Sequence, residues 1–377
     1  MIPVGSSAFR QIHSTANYQL YRPLSVKLHA RTAGTLIYSH LRNKQHHFHT
    51  LSSGRVSLTF SAFPFQRAVS NLNMAPSTRT SESTPATPRP SASLIIINER
   101  NEVLLVQRNP KARSFGGTHV FPGGNFDPKQ DGSLEITAIR ETFEESGLLI
   151  ATPDGHGKTV PSNSILDEAR KAIHGEKLKF QAFLSDHSLK ATTQSLLPFT
   201  TWVTPPISAR RFRTQFYVVF LPASSSTGFS SGDKEDRLPT PDGGQEVIAA
   251  RFVSLEAAIE EFRTGRISLM PPQYYIIETL RPLLLGNTNT REQQNKVAQL
   301  SQGAFGKLVI NPQGQRDKEG RDVFVYEGDE LRGGPSGRLH RAVVARQGTV
   351  FSRIELLRNF DIFTQVEGIG DLDKAKL

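Results

Sequence analysis

The stretch Ser133-Leu134-Glu135-Ile136-Thr137-Ala138-Ile139-Arg140-Glu141-Thr142-Phe143-Glu144-Glu145-Ser146-Gly147-Leu148 decides how this chain is read. A serine opens it and a glycine closes it, the residue types that cap a helix at its start and accept left-handed backbone after its end. The spacing predicts a helix from about Ser133 to Ser146. Within it Ile136, Ile139 and Phe143 recur at intervals of three and four and make one apolar stripe. Glu141, Glu144 and Glu145 fall on roughly the opposite side. Three carboxylates at i, i+3 and i+4 repel one another, so they are either solvated or gathered around something positive. A hard divalent cation with oxygen ligands is the natural filler.

Upstream, Ser93-Leu94-Ile95-Ile96-Ile97 and Val103-Leu104-Leu105-Val106 are apolar, β-branched runs separated by the polar residues Asn98 to Glu102. They read as a hairpin of two well-buried strands. The loop after them ends in Phe121-Pro122-Gly123-Gly124. The order so far is strand, strand, loop, helix. Downstream, Ile165 to His174 reads as a short amphipathic helix and Ser224 to Gly244 as a Ser/Gly/Pro/Asp-rich mobile loop. Val247 to Phe252 reads as a strand that leads into a helix start at Val253-Ser254-Leu255-Glu256. Pro271-Pro272-Gln273-Tyr274-Tyr275 reads as another helix start, since proline suits a first turn.

With 377 residues, 37% hydrophobic and 21% charged, the chain has the composition of a globular enzyme-sized protein with extensions. No apolar run approaches the roughly 18 residues of a membrane span. The absence of cysteine removes disulfides, thiolate nucleophiles and cysteine-ligated zinc, so any metal must sit on carboxylates or histidines. The net charge of +10 invites a nucleic-acid partner, but residues 1–81 hold nine Lys and Arg and no acid, and 10 − 9 leaves +1 for the rest. No nucleic-acid partner is therefore expected.

The basic, acid-free start has the composition of a mitochondrial transit peptide, while Met74 opens a plausible shorter protein. The chain ends in Ala375-Lys376-Leu377, akin to the peroxisomal import tripeptide and a candidate site for its receptor. The two addresses point to different compartments, mitochondrion and peroxisome.

The string Arg140-Glu141-Thr142-Phe143-Glu144-Glu145-Ser146-Gly147-Leu148 resembles the Nudix signature R-E-U-x-E-E-x-G-U, where U is a bulky aliphatic residue. The resemblance implies an α/β/α sandwich, a mixed sheet between helices, over residues 91–288. A disordered targeting segment or linker would precede it at 1–90, and a small helix and strand extension would follow at 289–377. It implies hydrolysis of a pyrophosphate bond with Mg2+ or Mn2+. Glu141, Glu144 and Glu145 would bind the metal, with Glu144 or Glu145 accepting a proton from water. Arg140 would orient a glutamate by ion pairing, and Gly123 and Gly124 would let backbone approach the site. Glu246, beside the late strand, would be a distal ligand or base.

Two departures stand out. The full signature places a glycine fourteen residues and a glutamate eight residues before the arginine; here Gly124 lies sixteen before and Gly132 takes the glutamate position. A loop two residues longer, with Asp131 or Asp127 as stand-in, accounts for this. Thr142 replaces a bulky aliphatic residue.

Arg108, Arg113, Gly117 and Phe121-Pro122-Gly123-Gly124 resemble the extended motif of the coenzyme A diphosphatases within the family, and the two arginines would bind phosphate. Blocks around Trp202, around Arg211 to Tyr217 and at Met270 to Tyr275 resemble the peroxisomal branch, although Arg213 stands where an acid is expected. The implied substrate is coenzyme A or its acyl derivative, cut to 3′,5′-ADP and 4′-phosphopantetheine. Two other readings use the same residues: a hydrolase of ADP-ribose or NADH, and a Nudix-fold binding module without turnover.

Overall fold

Strand β1 (Arg89–Ile97) carries the fold because its run Leu94-Ile95-Ile96-Ile97 is buried on both faces. Alternate residues of a strand point to opposite sides. Leu94 and Ile96 accordingly join one apolar cluster, Ile95 and Ile97 another. A continuous apolar run thus marks a central strand covered on both sides. The computed structural model describes residues 85–112, 115–155, 159–221 and 247–366. The segment 1–84, Arg113, the 222–246 stretch with Glu246, and Ala375-Lys376-Leu377 lie outside the described residues.

Strand β2 (Glu102–Arg108) pairs antiparallel with β1 at Ile97 and Val103, as the hairpin reading expects. After β3 (His119–Val120), β4 (Gly123–Asn125) folds back on the start of β1 and sets Gly123 opposite Ser93. Helix α1 (Leu134–Ser146) follows, capped by the Ser133 hydroxyl and ended by Gly147 at φ 74°. Beyond β5 (Ala151–Pro153) come α2 (Asn163–His174), α3 (Phe180–Asp186) and β6 (Leu189–Ala191). Strands β7 (Leu197–Val203) and β8 (Phe212–Phe220) then re-enter the main sheet, β8 lying parallel to the whole of β1. β9 (Val247–Ser254) lies antiparallel to β2 and runs into α4 (Leu255–Arg263) and then α5 (Pro271–Leu280). The sheet is mixed. Helices α1, α2 and α3 pack on one face through Ile139, Phe143, Ile173 and Phe183, and α4 and α5 on the other through Ile259 and Ile276.

The C-terminal residues build only a small cluster of their own, Val323, Val325 and Val343, and otherwise join the main core. Helix α6 (Arg291–Gln302) starts with a capping box at Thr290, and β10 (Val309–Ile310) adds to the edge of the main sheet beside β7. β11 (Gln313–Arg316), β12 (Asp322–Val325), β13 (His340–Gln347) and β14 (Val350–Arg358) form a second, antiparallel sheet. Val297, Val344 and Phe351 from these elements, and Tyr326 just after β12, pack in the same apolar cluster as Trp202 and Tyr275. Among the described residues no helix is long and apolar enough to cross a membrane.

Fully buried His340 fastens the two parts together. Its Nδ1 lies 2.6 Å from the Glu327 carbonyl, which only accepts, so Nδ1 carries the proton and Nε2 accepts from the Tyr275 hydroxyl at 2.8 Å. Both bonds suit the neutral ring. Burial, reinforced by Arg358 and only partly offset by the Glu327 carbonyl, lowers its pKa from 6.5 to about 4. Between these values the unfolded chain takes up a proton here that the folded chain refuses. The stabilisation is full above pH 6.5 and falls as pH drops toward 4, by about 1.4 kcal/mol per unit. Urea denaturation at neutral pH and near pH 5 is expected to show a loss on the order of 2 kcal/mol that is missing from the pH dependence of His340→Gln. Equal pH slopes for the two proteins would contradict the assignment.

Candidate functional site

Pairing of β4 with β1 fixes the floor of the site. A Cβ at Gly123 would lie 2.4 Å from the Ala92 carbonyl oxygen, and one at Gly124 would lie 2.4 Å from the Glu141 carboxyl carbon. At Gly123 the clash is with backbone and only glycine permits the approach, whereas a Cβ at Gly124 would displace the end of the Glu141 side chain. The Gly123 N–H donates to Glu145 Oε2 at 2.9 Å, tying β4 to the last turn of α1. Arg108, at the end of β2, approaches the other oxygen of Glu145 at 3.7 Å. Phe121 is a core residue, edge-on to Phe216, and lines the cleft from below the glycines.

Arg140 is the hub. Its Nε and Nη2 donate to the two oxygens of Asp131 at 2.7 and 2.8 Å, and Nη1 donates to Glu144 Oε1 at 2.8 Å. Nη2 also reaches the Asn125 carbonyl at 3.2 Å, and Glu141 Oε1 stands 3.0 Å from Nη1. Burial opposes the charge on this guanidinium, but the bonds with Asp131 and the charges of Glu141 and Glu144 outweigh it and raise its pKa. Glu144 and Glu145 are 7% and 3% exposed, which overturns the solvated alternative for the acidic turn. Thr142, on the same helix, is fully buried, and its hydroxyl has no hydrogen-bond partner.

Helix α2 adds two residues that the sequence reading missed. Buried Arg170 donates from Nε to the Glu144 carbonyl at 2.7 Å, a cation placed at the end of α1 where the helix dipole favours it. His174 Nδ1 is 3.3 Å from Glu144 Oε2. Their signal was faint: Arg170 is a cation on the buried face of α2, beside Leu166, Ala169 and Ile173.

A cleft of about 740 Å³ opens over these groups. Arg108, Phe121, Gly123, Gly124, Arg140, Glu141 and Glu144 line it, while Glu145 lies behind Gly123. Arg113 and Glu246 lie outside the described residues. The start of α5, Pro271 to Gln273, forms part of the wall. Four carboxylates, Asp131, Glu141, Glu144 and Glu145, gather around Arg140 and Arg108. By chemistry, a set of carboxylate oxygens fits a hard divalent cation. Among the described residues no three acidic or histidine side chains already stand together as metal ligands, because Arg140, Arg108 and Gly123 hold the carboxylates.

Residues 87–167 match the NUDIX domain family, and residues 128–280 match the NUDT19 Nudix domain family. The chain carries a Nudix domain. It is 27% identical over 196 residues to the "Putative nudix hydrolase 7" of Caenorhabditis elegans, covering 51% of this chain and 60% of that protein. It is 24% identical over 238 residues to the acyl-coenzyme A diphosphatase NUDT19 of Xenopus laevis, covering 48% and 59%. The chain thus spans about three fifths of the length of these relatives. Among solved structures, a NUDIX hydrolase from Alicyclobacillus acidocaldarius aligns at 24% identity and a TM-score of 0.40, over 51% of this chain and 90% of that one.

The Nudix signature's missing glutamate has a replacement here. Asp131, nine residues before Arg140, accepts from two of its three donor nitrogens, Nε and Nη2, and also accepts from the Asp127 N–H and the Thr137 hydroxyl, each at 3.0 Å. Asp127 instead accepts from the Lys129 N–H. Of the two aspartates, Asp131 is therefore the stand-in that joins loop to helix. Asp131→Ala leaves a buried guanidinium short of its main partner and is expected to cost about 3–5 kcal/mol in urea denaturation, with Asp131→Asn milder. A wild-type midpoint for the alanine variant would remove Asp131 from this role.

Proposed function

We propose that this chain is a divalent-cation-dependent pyrophosphohydrolase acting on coenzyme A or acyl-coenzyme A, with Mg2+ or Mn2+ as the cation. The observation that carries the reaction class is the acidic turn of α1, ordered by Arg140 against Gly124 at the cleft of a Nudix domain. The substrate rests on Arg108, on Phe121-Pro122-Gly123-Gly124 and on relatives named acyl-coenzyme A diphosphatase.

Glu141, Glu144 and Glu145 would hold the cation. Once bound, it supplies positive charge that offsets the pyrophosphate oxygens and makes water a better nucleophile. The protein's own groups do the rest. Arg140 keeps Glu141 and Glu144 apart from each other's repulsion and aimed at the cleft. Gly123 fixes Glu145 through its N–H, and Arg108 stands beside Glu145 ready to share a phosphate oxygen. Glu144 lines the cleft, and its Oε2 lies next to His174, so it is the carboxylate placed to take the water's proton and pass it on.

With magnesium, the purified protein is expected to convert coenzyme A to 3′,5′-ADP and 4′-phosphopantetheine faster than it cleaves ADP-ribose or NADH. A panel led by either of those would replace the substrate while leaving the reaction class. Glu145→Gln is expected to lower kcat/KM on the order of a thousandfold, about 4 kcal/mol of barrier. Gly124→Ala, which pushes Glu141 aside, is expected to lower kcat by about ten- to a hundredfold. Unchanged rates in both variants would remove the acidic turn from the chemistry.

A further inference from the structure

The cleft that holds Glu141 and Glu144 is also lined by the C-terminal sheet, through Phe324 of β12, Arg346 of β13 and Phe351 of β14. No motif marked these residues in the sequence. The β13–β14 register shifts between Ala345 and Arg346, a bulge of the kind that re-aims a side chain. The Arg346 guanidinium carbon lies 4.6 Å from the Phe351 ring centre and 5.9 Å from that of Phe324, and the two rings are 6.0 Å apart at 64°.

Three described arginines line the cleft. Arg108 and Arg140 pair with the acidic turn, whereas Arg346 is exposed and pairs with no carboxylate among the described residues. A solvated surface arginine is the ordinary state for such a residue. Here it is steadied over two phenyl rings, its donors open, at the wall of the substrate's own cavity.

We infer that this wall is the subsite for the nucleoside end of the substrate: the base stacks against the partly exposed Phe324, buried Phe351 supports the Arg346 guanidinium from the core side, and Arg346 binds a phosphate monoester on the ribose. Stacking on aromatic rings accepts any base, while the planar guanidinium fork matches phosphate oxygens. The phosphate monoester rests on the coenzyme A reading. The C-terminal sheet thereby becomes a specificity element of the Nudix domain it packs against.

The test compares Arg346→Gln with the full-length wild type, using coenzyme A and dephospho-coenzyme A for turnover and 3′,5′-ADP and 5′-AMP for binding by calorimetry. The preference for coenzyme A over dephospho-coenzyme A in kcat/KM is expected to fall about tenfold, mainly through KM, and affinity for 3′,5′-ADP by a similar factor. Arg346→Lys is expected to recover part of both. Because Arg346 is exposed, the urea midpoint should not move. Equal losses for both substrates, or 3′,5′-ADP binding that ignores Arg346 or is absent in the wild type, would overturn the subsite. If coenzyme A is not cleaved but 3′,5′-ADP binding still depends on Arg346, the subsite stands and the substrate assignment falls.

Discussion

A guanidinium taken out of water is stabilising only when its fork is filled, and the fork of Arg140 is filled from three directions. Asp131 holds it from the loop, Glu141 and Glu144 from its own helix, and the Asn125 carbonyl from the end of β4. Loop, strand and helix therefore meet on one charge. Without it, three glutamates within one turn of helix would repel each other in a space too buried for water to screen them. The same contacts set the positions of Glu141 and Glu144 at the cleft, so the interaction that stabilises the corner also prepares its chemistry.

Glycine makes that arrangement sterically possible. Gly123 lets β4 press against the β1 backbone at a separation that no side chain would tolerate, and Gly124 leaves room for the Glu141 carboxylate where it stands. Helix α2 completes the corner from outside with Arg170 on the Glu144 carbonyl and His174 on its carboxylate. The second sheet, anchored through His340 and Tyr275, brings Arg346, Phe324 and Phe351 to the same cleft. In the proposed function, chemistry falls to the middle of the chain and recognition to its C-terminal part.

Much of this was written locally. The Leu94 to Ile97 run could be read as a doubly buried strand because alternation disappears when both faces are covered, and the α1 caps because Ser133 and Gly147 act on their immediate neighbours. The site's acidic turn was legible for the same reason, since i, i+3 and i+4 residues share a helix face whatever surrounds it. Asp131 could be narrowed only to one of two aspartates. Which of them meets Arg140 depends on how the longer loop closes, through the Asp131 N–H bond to the Asp127 carbonyl at 2.7 Å.

By itself, then, the sequence determined the elements around β1 and α1 and the cluster of carboxylates, because each follows from spacing along the chain, and it left open whether water or a counter-charge meets that cluster. Tertiary structure decided what supplies that charge and what surrounds it. Arg170 and His174 lie about thirty residues from the acidic turn, and Arg346 about two hundred, in a helix and a strand with no chemical signature of their own. Their proximity comes from packing on a shared core, and packing depends on residues far apart in sequence, so no local pattern could record it.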